Sequence, residues 1–120
     1  MKNIGLIGCG NIAETYFRAQ EYFNNINFVA CADINLDAAK KTAEQYNIAA
    51  LSVDEILNDK NVDIILNLTI PQAHYEISKR ALEANKHVYC EKPMSVKFDE
   101  AKELLNIAKK NSLYIGNAPD

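Results

Sequence analysis

The stretch from Lys2 to Ala13, KNIGLIGCGNIA, decides the fold class of this chain. An apolar run over residues 3–8 predicts a strand, and it leads into GCGNIA, which matches the pattern G-x-G-x-x-G/A between a strand and a helix. In this pattern Gly8 allows the tight turn, and Gly10 lets a pyrophosphate approach the backbone. The small Ala13 lets the helix pack closely on the strand. The stretch therefore predicts a dinucleotide-binding turn at the start of an α/β domain.

Residues beyond the glycines support the same interpretation. The amides of Asn11 and Ile12 lie at the predicted helix start, where the positive end of the helix dipole favours a phosphate. Asp33 ends the second predicted strand, twenty residues after Ala13, where a carboxylate can accept hydrogen bonds from the adenosine ribose hydroxyls. Because a carboxylate repels a 2′-phosphate and residues 34–39 contain no arginine, we predict NAD rather than NADP. The alternative is an ordinary βα turn in which Asp33 only caps the next helix.

The rest of the chain alternates between apolar runs and segments of helical period, which is typical of a parallel sheet covered on both faces. We predict strands over residues 3–8, 27–32, 49–51, 62–68, 87–90 and 112–115, and helices over residues 11–23, 36–46, 71–84 and 98–110. A short helix after Ser52 ends near Asn58. Asn35 suits an N-cap, Ser52 and Glu55 form a candidate capping box, and Pro71 suits a first helical turn. Right-handed crossovers then predict a doubly wound, mainly parallel six-stranded sheet (Rossmann fold) with strand order 3-2-1-4-5-6.

Size and composition limit the kinds of protein this can be. The chain has 120 residues, of which 48% are apolar and 24% charged, with a formal net charge of −3. This balance is that of an ordinary globular domain and lacks the basic surplus expected of a nucleic-acid binder. No apolar run approaches the roughly 18–20 residues of a membrane span, so we predict a cytoplasmic protein with no membrane partner. Three cysteines at irregular spacing predict free thiols, and we predict no metal site.

The exit of the fourth predicted strand supplies further candidate cofactor-binding residues. Thr69, Pro71 and His74 follow this strand beside the first one, at the switch point where ligands of such sheets bind. We predict that they line the cofactor site, with the neutral imidazole of His74 close to the cofactor or to the loop after the fifth strand. A histidine in a first helical turn can also be a surface or packing residue, and this alternative stays open.

Three segments together resemble a known protein family. GLIGCGNIA, then Asp33, then TIPQAHYEISKRALEANKHVYCEKPMS (residues 69–95) are similar to the N-terminal domain of the Gfo/Idh/MocA oxidoreductases. The resemblance implies an NAD(P)-dependent oxidoreductase that acts on a CH–OH group of a sugar, polyol or related secondary alcohol. It also implies that Lys92 is catalytic, binding the substrate hydroxyl and assisting proton transfer beside the nicotinamide, and that Glu91 lies near the nicotinamide ribose.

The chemistry of a lysine agrees with the role that the resemblance implies for Lys92. Oxidation of a secondary alcohol releases a proton as the hydride leaves, and a partly desolvated lysine beside a cationic ring takes up that proton more readily near neutral pH. The residue pattern alone favours the alternative, in which Glu91 and Lys92 are solvent-facing charges that end a strand.

The resemblance also bears on domain organisation. We expect residues 1–118 to form the dinucleotide-binding domain and residues 119–120 to begin a junction to a C-terminal α/β substrate domain that this chain lacks. The chain alone is then predicted to be inactive, and the full-length protein to be a homo-oligomer through that domain. The alternatives are an NAD-dependent glycosidase or another non-dehydrogenase relative, and a non-catalytic dinucleotide-sensing module.

Overall fold

The sheet of this chain is parallel throughout and has helices on both faces. The computed structural model describes residues 2–10, 13–19, 25–90 and 97–117. In these ranges the strands are β1 (Lys2–Ile7), β2 (Ile26–Ala32), β3 (Ala49–Ala50), β4 (Ile64–Asn67), β5 (His87–Cys90) and β6 (Ile115–Asn117). The helices are α1 (Ala13–Ala19), α2 (Leu36–Tyr46), α3 (Val53–Leu57), α4 (Pro71–Glu83) and α5 (Phe98–Lys110). The strand order is β3-β2-β1-β4-β5-β6 with every neighbouring pair parallel, which confirms the predicted Rossmann fold.

Each face of the sheet carries its own apolar core. The core under α3, α4 and α5 has fully buried side chains that include Ile56, Ile65, Leu82 and Leu104. The core under α1 and α2 has buried side chains that include Leu6, Phe17, Phe28 and Leu66. Burying one such side chain contributes about 1.5–3 kcal/mol, so the two cores fix the strands and bring their carboxyl ends to one edge. No helix among the described residues is long and apolar enough to cross a membrane.

Local signals set the starts of three helices as predicted. Asn35 Oδ1 accepts hydrogen bonds from two backbone N–H groups at the start of α2, which identifies it as the N-cap. In α3, Ser52 Oγ accepts from the Glu55 N–H at 3.0 Å, and Glu55 Oε1 accepts from the Ser52 N–H at 2.9 Å, which is the predicted capping box. Helix α4 begins at Pro71. These ends place the loops after β2 and β4 where the sequence located them.

The sixth strand differs from the prediction. A strand over residues 112–115 is wrong, since β6 covers Ile115–Asn117. Residues 112 and 113 instead cap the C-terminus of helix α5. Ser112 has a φ of 57°, and the Leu113 N–H donates to the Ala108 carbonyl at 2.8 Å. The first helix is confirmed over Ala13–Ala19, and the rest of its predicted range, residues 11–23, lies outside the described residues.

Candidate functional site

The loops after β1, β2 and β4 meet at the centre of the carboxyl edge, where the strand order reverses. Hydrogen bonds join the first two loops: the Gly8 N–H donates to the Ala32 carbonyl at 2.8 Å, and the Cys9 N–H donates to Asp33 Oδ2 at 2.6 Å. The loop after β4, which contains Thr69, packs directly on Gly8. The structure thus brings together three of the predicted residues, Gly8, Asp33 and Thr69. Open α/β sheets bind ligands at this position.

Gly8 is the residue at which the glycine turn touches the loop after β4. Its φ is 103°, and a Cβ at this position would lie 2.7 Å from the carbonyl carbon and oxygen of Leu68 and 2.9 Å from the Thr69 nitrogen. No real Cβ tolerates such distances to the backbone. A side chain is therefore excluded here both by the backbone conformation and by the neighbouring loop.

Gly10, in contrast, borders open space. A Cβ added there would meet no atom of the described residues within 4 Å, and the φ of Gly10 lies outside the left-handed region. Neither a steric contact with the described residues nor the backbone conformation therefore requires a glycine at this position. An absent side chain that leaves the backbone accessible fits a group that approaches closely, such as a pyrophosphate.

Asp33 is held between the glycine turn and the start of α2. Its Oδ2 accepts from the Cys9 N–H at 2.6 Å, and its Oδ1 accepts from the Asn35 N–H at 2.8 Å. The N-cap of α2 is Asn35, not Asp33. Because each carboxylate oxygen has two lone pairs, both oxygens can still accept a hydroxyl hydrogen from a ligand. The arrangement suits a diol such as a ribose.

The thiol of Cys9, between the two glycines, is half-buried beside the same turn. The neighbouring thiol of buried Cys31 is the main cause that lowers the pKa of the Cys9 thiol, while burial and the Asp33 charge oppose this shift. The same contact, followed by burial, raises the pKa of Cys31. Cys9, Cys31 and Cys90 are all free thiols, as predicted. Cys9 is thus the thiol of this site that a ligand or reagent can reach.

A buried amide underlies the loop after β4, and sequence reasoning missed it. Asn67 ends β4 and is fully buried. Its side-chain nitrogen donates to the His74 carbonyl at 3.1 Å and to Ser78 Oγ at 2.9 Å. Its side-chain oxygen accepts from the Thr69 N–H at 3.2 Å and from the Thr69 hydroxyl at 2.6 Å. The signal in the sequence is an asparagine at the end of an otherwise apolar strand, IILN, because a buried amide requires polar partners.

His74 lies in helix α4 and is 1% exposed. The surface alternative for this residue is therefore wrong, while packing and a contact with a cofactor both stay open. Pro71 is the first residue of the same helix, so both residues follow the β4 exit as predicted.

Two large apolar side chains stand on either side of the glycine turn and were not singled out from the sequence. Ile34 directly follows Asp33 and is 99% exposed, and Ile70 directly follows Thr69 and is 66% exposed. Single exposed apolar residues are common on protein surfaces. These two, however, follow the polar residues of the site in two loops of one sheet edge, where they can cover the faces of a flat ring.

Four predicted site residues, Asn11, Ile12, Glu91 and Lys92, lie outside the described residues. The structure does show where the chain leaves β5: its last residue, Cys90, is the register partner of Asn67 at the end of β4. Strand β5 therefore ends beside the end of β4.

Comparison with known proteins gives a consistent result. The profile of the oxidoreductase family with an NAD-binding Rossmann fold, Gfo/Idh/MocA, matches residues 2–117. The uncharacterized oxidoreductase YrbE of Bacillus subtilis (strain 168) is 30% identical over 113 residues, which are 92% of this chain and 33% of that protein. The inositol 2-dehydrogenase of Azotobacter vinelandii is 34% identical over 108 residues, 87% of this chain and 32% of that protein.

Among solved structures, this chain is similar to KijD10, a 3-ketoreductase from Actinomadura kijaniata that was determined in complex with NADP and TDP-benzene. It matches with a TM-score of 0.89 at 28% identity, over 97% of this chain and 36% of that one. The chain spans about a third of the length of the curated relatives it matches.

Proposed function

The chain belongs to the Gfo/Idh/MocA oxidoreductase family, and on that premise we propose that it is the cofactor-binding part of an NAD-dependent dehydrogenase acting on a sugar or polyol. The observation that carries this proposal is the crevice at the carboxyl edge, where the Asp33 carboxylate holds the glycine turn and Gly10 leaves the backbone open. The dinucleotide, when bound, supplies the hydride chemistry. The residues of the chain bind and orient it. The similarity to an inositol 2-dehydrogenase supports a polyol as the substrate class.

NAD fits the charge of the site better than NADP. Asp33 presents a carboxylate with free lone pairs where the adenosine ribose of a dinucleotide would lie, and its charge opposes a 2′-phosphate. Ile34, the exposed residue that follows, offers an apolar surface to the adenine and no positive charge to a phosphate. KijD10 was determined with NADP, so the preference of this chain has to be measured directly.

Calorimetric titration of the folded chain with NAD and with NADP tests the cofactor assignment. We expect NAD to bind more tightly than NADP, by on the order of tenfold, because the Asp33 carboxylate would repel a 2′-phosphate a few ångströms away. Ile34→Arg adds a positive charge beside Asp33 and leaves both hydrogen bonds of its carboxylate in place, and it should reduce this difference. Failure of both dinucleotides to bind at millimolar concentration, in a sample with native circular dichroism, would refute the proposal. Equal affinities would refute only the preference for NAD.

We assign proton transfer to Lys92 as part of the same proposal. A proton must leave the alcohol oxygen as the hydride departs, and a lysine amine beside the reacting carbon can take it. Two facts support this assignment: the chain leaves β5 next to the β4 exit, and the sequence there is Glu91-Lys92-Pro93. In a form of the protein that oxidises a polyol, Lys92→Ala should lower kcat by about 10²–10⁴-fold with NAD still bound. Lys92→Arg is the matched control, because it keeps the positive charge but cannot accept the proton; near-normal turnover by either variant would remove Lys92 from the mechanism.

We further propose that residues 1–118 bind the dinucleotide and that the substrate pocket belongs to a part of such an enzyme outside this chain. The relatives that the chain matches are about three times as long. The chain by itself should then bind NAD without reducing it in the presence of inositol or other polyols. Formation of NADH, followed by its absorbance, would overturn this division of roles.

A further inference from the structure

The side chain of Asn67 can adopt only one orientation of its amide. One neighbour, the His74 carbonyl, can only accept a hydrogen bond, and it lies 3.1 Å from the side-chain nitrogen. Another neighbour, the Thr69 N–H, can only donate, and it lies 3.2 Å from the side-chain oxygen. If the side-chain nitrogen and oxygen were exchanged, the nitrogen would face the Thr69 N–H, donor against donor. The oxygen would face the His74 carbonyl, acceptor against acceptor. The network of Asn67 therefore has a defined direction.

This direction fixes what the hydroxyl of Thr69 can do. The hydroxyl lies 2.6 Å from Asn67 Oδ1, which can only accept, so the hydroxyl spends its single hydrogen on Asn67. On the side of the crevice, the hydroxyl oxygen of Thr69 then offers only its lone pairs. The residue is half-buried, so a ligand can reach it. Toward such a ligand the Thr69 hydroxyl is an acceptor and not a donor.

The same network also holds the loop against the glycine turn. The backbone from Leu68 to Thr69 is what a Cβ on Gly8 would strike at 2.7–2.9 Å, and the Leu68 N–H donates to the Ile7 carbonyl at 2.8 Å. The side-chain oxygen of fully buried Asn67 accepts hydrogen bonds from both the backbone N–H and the hydroxyl of Thr69, two residues further along the chain. A satisfied buried network of this kind makes the geometry rigid. Thr69 is therefore held at a fixed place relative to Gly8.

We propose that Asn67 is a positioning residue of the cofactor site, which turns the Thr69 hydroxyl into a hydrogen-bond acceptor for a donor group of the dinucleotide. This inference rests on the proposed function. The dinucleotide offers three kinds of donor, the ribose hydroxyls, the amino group of the adenine and the nicotinamide carboxamide N–H₂ group. A phosphate oxygen is excluded as the partner, because it can only accept.

Two substitutions of nearly equal shape test the role of Thr69. Thr69→Ser keeps the hydroxyl, and Thr69→Val keeps the volume but removes it. Titration with NAD should show an affinity within about twofold of the unmodified chain for Thr69→Ser and about 3–10-fold weaker for Thr69→Val, the worth of one hydrogen bond. ADP-ribose, which lacks nicotinamide, separates the donors: a partner in the adenosine or ribose part makes Thr69→Val weaken both ligands, and a carboxamide partner makes it weaken NAD alone. Equal affinities of the two variants for both ligands would overturn the inference.

A double-mutant cycle separates positioning from a general effect on the fold. If Asn67 acts through Thr69, Asn67→Ala should weaken NAD binding about 3–10-fold in the unmodified chain but cause no further loss in the Thr69→Val background. Ser78→Ala is the matched control, since it removes another hydrogen bond of the same amide without touching Thr69, and NAD affinity should stay within about twofold. An equal loss from Asn67→Ala in both backgrounds, or an equal loss from Ser78→Ala, would show a merely structural role.

The outcomes also separate this inference from the proposed function. Should Asn67→Ala fail to fold, the comparison of Thr69→Ser with Thr69→Val decides alone. NAD binding by the unmodified chain with no difference between these two variants overturns the role of Asn67 and leaves the proposed function standing. Absence of NAD binding by the unmodified chain overturns both.

Discussion

Replacing Gly8 by alanine should destabilise the fold, whereas the same replacement at Gly10 should affect only ligand binding. At Gly8 an L-residue with a φ of 103° costs about 1–2 kcal/mol. The new Cβ would also push on the backbone of Leu68 and Thr69 from 2.7–2.9 Å, and displacing tightly packed neighbours costs about 1–3 kcal/mol more. The sum, about 2–5 kcal/mol, is a large part of the roughly 5–15 kcal/mol that stabilises an ordinary domain. Gly8→Ala should therefore lower the melting temperature by about 8–20 °C.

Gly10→Ala is the matched control because it adds the same methyl group two residues away. In the described part of the chain no atom lies within 4 Å of a Cβ at that position, so stability should change by less than about 1 kcal/mol. A methyl group that keeps the pyrophosphate from the backbone removes at least one charge-assisted hydrogen bond, which corresponds to about 10–150-fold in affinity for NAD.

The assay for both variants is thermal unfolding followed by circular dichroism, combined with calorimetric titration of NAD. Unchanged stability of Gly8→Ala would contradict the close contact between the glycine turn and the loop after β4. Unchanged NAD affinity of Gly10→Ala would contradict the placement of the pyrophosphate at this turn.

Three further predictions concern the surroundings of the site and the outer helices. Ile70→Ser should weaken NAD binding about 3–10-fold by removing apolar contact with the adenine ring. Calorimetric titration measures this effect, and an unchanged affinity for NAD would refute the contact. Iodoacetamide should alkylate half-buried Cys9 before fully buried Cys31, because Cys9 is accessible and the neighbouring Cys31 thiol lowers its pKa. Saturating NAD should slow this reaction, and mass spectrometry of the labelled peptides shows whether it does. Glu103 accepts a hydrogen bond from the Tyr75 hydroxyl at 2.7 Å, and this bond is the main cause that lowers the pKa of Glu103 below its ordinary value of 4.5. Its contribution to stability should be present above that ordinary value and be lost as the pH falls through the lower folded-state pKa, so denaturant unfolding of Glu103→Gln should differ from the unmodified chain at pH 7 and converge with it in acid.

The elements that the sequence predicted best are those with strong local signals. The bounds of α2 follow from the Asn35 cap, and α5 follows from its apolar stripe over residues 98–110. β5 has the predicted bounds because a short apolar run stands between a helix end and a charged segment. β6 was misplaced because the left-handed turn at Ser112 depends on how the end of α5 folds back, which an apolar run does not reveal.

The candidate site divides in the same way. The glycine pattern and the spacing to Asp33 are local and short, so the sequence predicts them. The network of Asn67 joins residues eleven positions apart in the chain, and its direction depends on the packing of α4 on β4. Ile34 and Ile70 look like core residues by type, and only the fold shows that they are exposed at the edge of the crevice.

The double attachment of the Asp33 carboxylate has a consequence for changing cofactor preference by engineering. Exchange of this acid for a small neutral residue would release the N–H groups of both Cys9 and Asn35. The glycine turn and the first turn of α2 would loosen together, and affinity for NAD and NADP would fall alike. A route that respects this attachment keeps an acceptor at position 33 and introduces the positive charge at Ile34 or Leu36, which are exposed and carry no hydrogen bond of the turn. A change of cofactor preference in this chain therefore has to preserve the residue that holds the turn in place.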